Sequence, residues 1–297
     1  MTATSAVYTP RPDEPLPHQL LSALAQHRMA TTRQLHTLLR PSITRQAVSD
    51  PLNKLRRKGF VDYTVLPKSN LTRVWYLTGE GARVARDFPA LRGRPPYPIT
   101  STTAASLKTP HTLTVVRGHL AFLSDARKLG HEHGPWDWTP EVAHPIGEGE
   151  QLIADAVMHY ALTDGERRRK LRAFIEVDRS TMGSERLAAK LIDYARLFRY
   201  EAPTVGRRRP SSPGPAWLRW YPVFPRVLFV LTGAGRTRLN NRIGDLRGMA
   251  QQHPLVAALG REVSLGAAVL EDIEEIGPSK ALWVPLTGGE PRPWTEL

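Results

Sequence analysis

The stretch from Gln151 to Asp178 constrains this chain more than any other. Residues 151–162 (QLIADAVMHYAL) and 169–178 (RKLRAFIEVD) flank Thr163-Asp164-Gly165-Glu166. Asp-Gly between two strand-like runs is a strong hairpin signal. With Asp164 and Gly165 at the centre of the turn, Asp155 falls opposite Phe174. One face then carries Leu152, Ala154, Ala156 and Met158, opposed by Leu171, Ala173, Ile175 and Val177. That face is wholly apolar and predicts a core. The other carries Asp155, Glu176 and Asp178, because residues two apart share a side of a strand. A register shift of two keeps the three acids together, and a slip of one separates them.

Three carboxylates on one sheet face repel one another unless a cation, a shared proton or an arginine intervenes. Hard divalent ions such as Mg²⁺ use oxygen-rich sets of this kind. Asp155, Glu176 and Asp178 are therefore the candidate catalytic and metal-holding residues, with salt bridges to Arg172, Arg179 or Arg186 as the alternative. Downstream, Ser184 predicts the cap of a helix over 185–200, with Leu187, Leu191, Tyr194 and Phe198 facing in. Lys190 lies about 80° from the centre of that stripe at 100° per residue and leans toward the acids. Residues 225–231 predict a buried central strand. A helix over 236–251 and strands near 263–270 and 281–286 follow. Upstream, Thr109-Pro110 predicts a helix start running to Lys128, before a strand over 139–145.

Charge divides the chain. The total is +13 in 297 residues, from 41 Lys/Arg against 28 Asp/Glu. Residues 1–100 hold 15 and 6 of these, a net of +9. A basic excess on a globular chain favours a polyanionic partner, usually nucleic acid. Composition marks a disordered lead-in (1–17), a basic module (18–88), a Pro-rich linker (89–108) and a second domain (109–297). Arg167-Arg168-Arg169-Lys170 and Arg207-Arg208-Arg209 are expected to flank the acids and hold phosphates, or else to be solvated loop charge.

Within the basic module, helices are expected over 17–26, from Thr31 or Thr32, and over 44–58. The third has Ala47, Val48, Leu52 and Leu55 inward and Gly59 as its stop. Strands over 60–66 and 72–77 come next, then a helix from Gly79 to Asp87. Pro51 either kinks the third helix or follows Asp50 as the cap of a shorter one.

There is no cysteine, which excludes a disulfide scaffold, a thiolate zinc site and a cysteine nucleophile. The amino terminus lacks an apolar signal core, and no apolar run is long enough for a bilayer. The expectation is a cytoplasmic protein with no membrane partner. His111, His119 and His159 read as packing or surface groups, His131-Glu132-His133 as a polar loop with metal binding as the alternative, and Glu141 as an edge residue with a further ligand as the alternative. No tyrosine stands beside a histidine cluster as a transesterifying relaxase requires, and no glycine-rich segment has a Walker pattern.

Two resemblances follow from these residues. The stretch RKGFVDY…TRVWYLTGEGARV, with the helix order before it, resembles the winged helix-turn-helix family over residues 18–88. That likeness implies double-stranded DNA as partner. It implies base-edge contacts by Thr44, Arg45, Gln46, Ser49 and Asn53. It implies phosphate contacts by Lys54, Arg56, Arg57, Lys58, Lys68 and Arg73. A solvated helix face, or a protein-binding winged helix, is the alternative. The order helix, three strands, helix, strand, with Asp155…Glu176-Val177-Asp178, looks like the PD-(D/E)XK restriction-endonuclease-like core. The expected fold is thus α+β, a winged helix followed by that domain. Asp178 stands where that family has its lysine, and Lys190 is the candidate replacement. The whole chain, with LIADAV…AFIEVDRSTMGSERLAAKLIDYARL, resembles the replication-relaxation family of plasmids and integrative elements. The resemblance implies a role in replication, DNA relaxation or transfer. One form is an Mg²⁺-dependent nickase or endonuclease. The alternative is a non-enzymatic regulator or initiator whose second domain dimerises or binds replication or transfer proteins.

Overall fold

A computed structural model describes residues 14–67, 69–91, 96, 98–99, 102–181, 183–201 and 214–297, with the side chains of 102–108 excepted. Lys68, Arg207, Arg208 and Arg209 lie outside the described residues, as do most of the lead-in and part of the linker. The chain is mixed α and β and forms two compact units. One is Met1–Lys128 with Glu132–Thr139, and the other is Leu129–His131 with Pro140–Leu297.

The first unit runs α1 (Leu16–His27), β1 (Met29–Thr31), α2 (Thr32–Leu39), α3 (Arg45–Arg57), β2 (Val61–Val65), β3 (Arg73–Leu77) and α4 (Gly79–Ala85). Thr31 and Gln34 form a reciprocal capping box at the start of α2. Thr44 caps α3, accepting from Ala47 N. Pro51 therefore lies inside one continuous helix rather than starting a shorter one. That helix ends in a Schellman closure: Gly59 has φ 77°, its N–H donates to Arg56 O, and Phe60 N donates to Leu55 O. Val48, Leu52 and Leu55 are buried as expected. Ala47 is exposed, because it lies some 100° off that stripe. The strand β1 was not anticipated. It pairs with β3, giving the order β1-β3-β2. Three residues carry too little alternation to read as a strand.

The helix expected from Thr109 begins earlier, and α5 spans Thr102–Leu129 with Pro110 inside it. Its assignment to the second domain also changes. Leu123 of α5 and Trp136 pack into the same core as Leu20, Leu24, Leu35, Leu55 and Trp75. The Arg127 guanidinium donates to Thr37 O and Leu38 O, satisfying carbonyls at the open end of α2.

The second unit is built on β4 (Trp138–Gly147), β5 (Glu150–Asp164), β6 (Arg167–Asp178), β7 (Arg226–Leu231), β8 (Leu265–Val269) and β9 (Val284–Pro285), adjacent in that order. Between the strands come α6 (Ser184–Arg199), α7 (Arg236–Gln252), α8 (Pro254–Glu262) and α9 (Leu270–Ile276). β5 and β6 are antiparallel, while β7 runs parallel to both β6 and β8. α8 and α9 were not read from the sequence. The residue capping α6 is Gly183, and Ser184 instead donates to Asp245 Oδ2.

Candidate functional site

The hairpin sets the site, with a register two residues away from expectation. Asp164 pairs with Arg167 and Ala156 with Ile175. The turn residues are therefore Gly165 and Glu166, and Phe174 stands opposite Val157 rather than Asp155. The reason is in the turn: Gly165 takes φ 58°, suiting glycine at the first position of a two-residue hairpin loop. Asp164 is left in the strand. Glu176 and Asp178, two apart on β6, share one side of the sheet, and Asp155, just beyond the last pair Ala156–Ile175, reaches the same strand through its side chain.

That side differs from expectation in its burial. The apolar face is buried, with Ala154, Ala156, Met158, Ala173 and Ile175 fully so. The carboxylate face is covered as well. Phe174 lies beside Val227 and Leu265, Glu176 beside Phe229 and Ala267, and Asp178 beside Leu231 and Val269. These rows join Leu187, Leu191, Tyr194, Leu239, Ile243 and Leu259 of α6, α7 and α8 in one core. A strand covered on both faces is apolar on both sides, and the two acids of β6 interrupt that pattern.

Glu176 is 4% exposed. Tyr194 OH donates to its Oε1 at 2.7 Å. Lys190 Nζ lies 3.2 Å from both carboxylate oxygens and donates to Ile153 O at 2.6 Å. Asp155 Oδ2 accepts from Val177 N at 2.7 Å, across the hairpin. Burial, then the Asp155 charge, pushes the Glu176 carboxyl up to about 8, against the opposing pull of Lys190 and Tyr194. Burial, and then Glu176, raises the Tyr194 phenol well above its ordinary value. Asp155, Glu176 and Lys190 therefore converge. Tyr194, read from sequence only as a core residue, completes the group. A phenol at helical spacing on an apolar stripe carries no signal of what its hydroxyl meets.

Asp178 does not join them. Its Oδ2 accepts from Arg242 Nε at 2.5 Å and its Oδ1 from Ser180 N at 3.0 Å. Arg242 and Asp178 are 5% and 6% exposed. An arginine does balance a carboxylate, as the alternative reading held, but it comes from α7 rather than from Arg172, Arg179 or Arg186. Among the described residues, no group of three or more His, Asp or Glu side chains is placed to hold a metal ion. Two carboxylates, Asp155 and Glu176, remain as oxygen donors. This fits Mg²⁺, which is ordinarily held by one or two carboxylates and keeps several waters.

The basic run Arg167–Lys170 does not flank the acids either. It occupies the exposed tip of the hairpin, six to nine residues from Glu176. At about 3.4 Å per residue the separation is roughly 20–30 Å.

In the first unit, Arg45, Gln46, Lys54, Arg56, Arg57 and Lys58 are exposed on α3, and Thr44 at its cap. Ser49 and Asn53 are half-buried. Gln46, Asp50, Asn53 and Arg57 form the stripe opposite the buried Val48 and Leu52. Asp50, which the sequence reading did not count, sits in that stripe and accepts from Gln46 Nε2 at 2.6 Å. Arg73 on β3 donates to Asn53 Oδ1 at 3.1 Å. The guanidiniums of Arg56 and Arg73 each stand 4.6 Å from the Tyr63 ring centre. Arg56 also donates to Asp62 Oδ1 at 2.8 Å. Helix and hairpin thus share a single cationic surface that an aromatic ring orders.

Residues 21–207 match the replication-relaxation family, and the chain belongs to it. The matched span includes Asp155, Glu176, Lys190 and Tyr194, while Arg242 lies beyond it. No curated protein matches the chain. Two mutant forms of Lactococcus lactis ZitR are similar at 14% and 16% identity, over 36% and 37% of this chain, each with a TM-score of 0.22. The alignment spans 64% of the ZitR chain in both. No helix among the described residues is long and apolar enough to cross a membrane.

Proposed function

We propose that this chain is a cytoplasmic DNA-binding protein of a plasmid or integrative element, acting in replication, DNA relaxation or transfer. In this reading the first unit is a winged helix-turn-helix and the second a PD-(D/E)XK nuclease-like domain that nicks or cuts duplex DNA with Mg²⁺. Three helices followed by a β2–β3 hairpin, with cations on α3 and β3, support the first part. The order β4, β5, β6, α6, β7 supports the second.

The observation that carries the nuclease reading is the meeting of Asp155, Glu176 and Lys190 at a buried carboxyl. Asp155 and Glu176 would hold the ion, which supplies a Lewis acid and an activated water for phosphodiester hydrolysis. Lys190 is the cation in contact with Glu176 and serves to offset charge developing on a phosphate. Tyr194 fixes the Glu176 carboxyl by its hydrogen bond. The Val177 amide fixes Asp155.

Incubation of supercoiled plasmid with the protein and Mg²⁺ or Mn²⁺, beside an Asp155→Ala/Glu176→Ala control, tests this. Nicked or linear product from the wild type alone is the expected result. Plasmid left equally intact by both proteins, across candidate origin and transfer sequences, refutes it.

A second reading has its own support. Asp178 is neutralised by Arg242, and Lys190 is already engaged by Glu176 and Ile153 O. Such internal balance suits a non-enzymatic regulator or initiator whose nuclease-like unit dimerises or binds replication or transfer proteins.

A further inference from the structure

A separate group of side chains lies in the first unit. His27 of α1, His119 of α5 and His133 are 2%, 0% and 5% exposed. The His119 ring centre is 5.2 Å from those of both His27 and His133. Its other side stacks on Trp138 at 5.0 Å and 13°. Neither ring nitrogen of His27 has a hydrogen-bond partner, nor does His119 Nδ1. His119 Nε2 reaches only Gly134 O, at 3.4 Å. Buried polar atoms left without partners are few in native proteins and call for an explanation.

We propose that His27, His119 and His133 form an acid-sensitive latch: neutral, they pack α1, α5 and residues 132–139 together, and protonation forces that packing apart. A neutral imidazole tolerates an apolar neighbour on each face. An imidazolium presents two donors and a full charge, and this site supplies neither acceptors for His27 nor solvent. Three rings in a row compound the effect, since a charge on one opposes a charge on the next.

The charged groups nearby are of both signs: Arg127 opposes protonation of His119, and a buried carboxylate favours it. From α5 come Arg127 and the buried Asp125, from 132–139 the buried Asp137, and beside His27 in sequence stand Gln26 and Arg28. Asp137 Oδ2 is engaged by Gly134 N at 2.9 Å. His119 is held well below its ordinary value by burial first, then by His27, His133 and Arg127, with Gly134 O opposing. Burial holds His27 at about 4. Both folded values lie below the unfolded 6.5. Stability is therefore intact above pH 6.5 and declines as the unfolded chain takes up protons that the folded one refuses. For His27 the decline runs from 6.5 to about 4. Each histidine raises the unfolding constant about tenfold per pH unit in this window, and two raise it about a hundredfold. Leu20, Leu24 and Leu55 share one core, so release of α1 also frees the base of α3.

Urea unfolding of the full-length protein between pH 4.5 and 8 tests the latch, with Trp fluorescence reporting on the Trp138 stack. The wild type is expected to lose stability steeply below pH 6.5. His27→Gln/His119→Gln is expected to reduce that slope by up to about a hundredfold per pH unit in the unfolding constant. Equal slopes overturn the proposal. Should the double variant not fold, histidine-selective NMR of the wild type decides. Two rings, those of His27 and His119, that stay neutral at pH 5.5 in the native state support the latch, and ordinary titration of every ring near 6.5 overturns it. Addition of Zn²⁺ at pH 7.5 is expected to leave the unfolding curve in place. A stabilisation that the double variant abolishes assigns the cluster to metal binding and overturns the latch.

Discussion

Replacement of Glu176 by Gln exposes what the candidate site costs the fold. The carboxyl is 4% exposed and titrates at about 8, against 4.5 for an ordinary glutamate. A raised folded value means that the contribution to stability is fully present below 4.5 and is lost as pH rises toward 8. Over that window the unfolded chain ionises while the folded one resists. Each pH unit removes about 1.4 kcal/mol, so the interval from 5 to 7.5 removes about 3 kcal/mol. Glu176→Gln keeps the shape and an acceptor for Tyr194, and it leaves Lys190 its bond to Ile153 O. Whatever the substitution costs in hydrogen bonding is nearly the same at both pH values. The quantity to measure is therefore the difference between wild type and Glu176→Gln in urea unfolding free energy, at pH 5 and again at 7.5. The variant is expected to gain about 3 kcal/mol on the wild type between the two. A gain under about 1 kcal/mol means that Glu176 ionises freely in the folded chain. The description of a desolvated carboxyl confronting Asp155 is then wrong. Mg²⁺ should narrow the gap if Asp155 and Glu176 hold it, because an ion that binds the ionised pair stabilises the folded state.

Three further outcomes are expected. Arg242→Met strands the buried Asp178 carboxylate and should cost about 3–5 kcal/mol, whereas Asp178→Asn/Arg242→Met should recover part of that loss, both read by urea unfolding. Gly81→Ala places a Cβ 1.8 Å from Phe60 O, a backbone atom that cannot swing aside, and should lower stability by about 1–3 kcal/mol or more in a thermal melt. Reversal of Arg56, Arg57 and Lys58 to Glu should abolish a salt-sensitive DNA mobility shift, and unchanged binding moves the DNA surface away from α3.

Much of the local structure was legible because it rests on short-range rules. Thr31, Thr44 and Gly59 mark helix ends through capping chemistry that involves only a few neighbouring residues. Turn chemistry was harder. Asp-Gly predicted the hairpin but misplaced its centre, because Gly165-Glu166 also offers a glycine where positive φ is needed. Proline misled at Thr109-Pro110, which reads as a helix start yet lies within α5. The domain boundary failed for a related reason. Leu123 looks like any apolar helix residue, and only packing decides which core receives it.

The sequence by itself determined that Glu176 and Asp178 share a face, since strand periodicity is covalent geometry and survives a two-residue error in register. It also located the cationic helix α3 and its hairpin. Tertiary structure decided what becomes of the three acids. Arg242 reaches Asp178 from 64 residues away, Tyr194 and Lys190 close on Glu176 from α6, and α6, α7 and α8 cover the face that carries them. The same holds for His27, His119 and His133, unremarkable in sequence and adjacent only once α1 and α5 pack together. Side-chain direction follows from the local backbone, whereas the partner a buried charge meets depends on how distant segments cross, and no local pattern encodes that crossing.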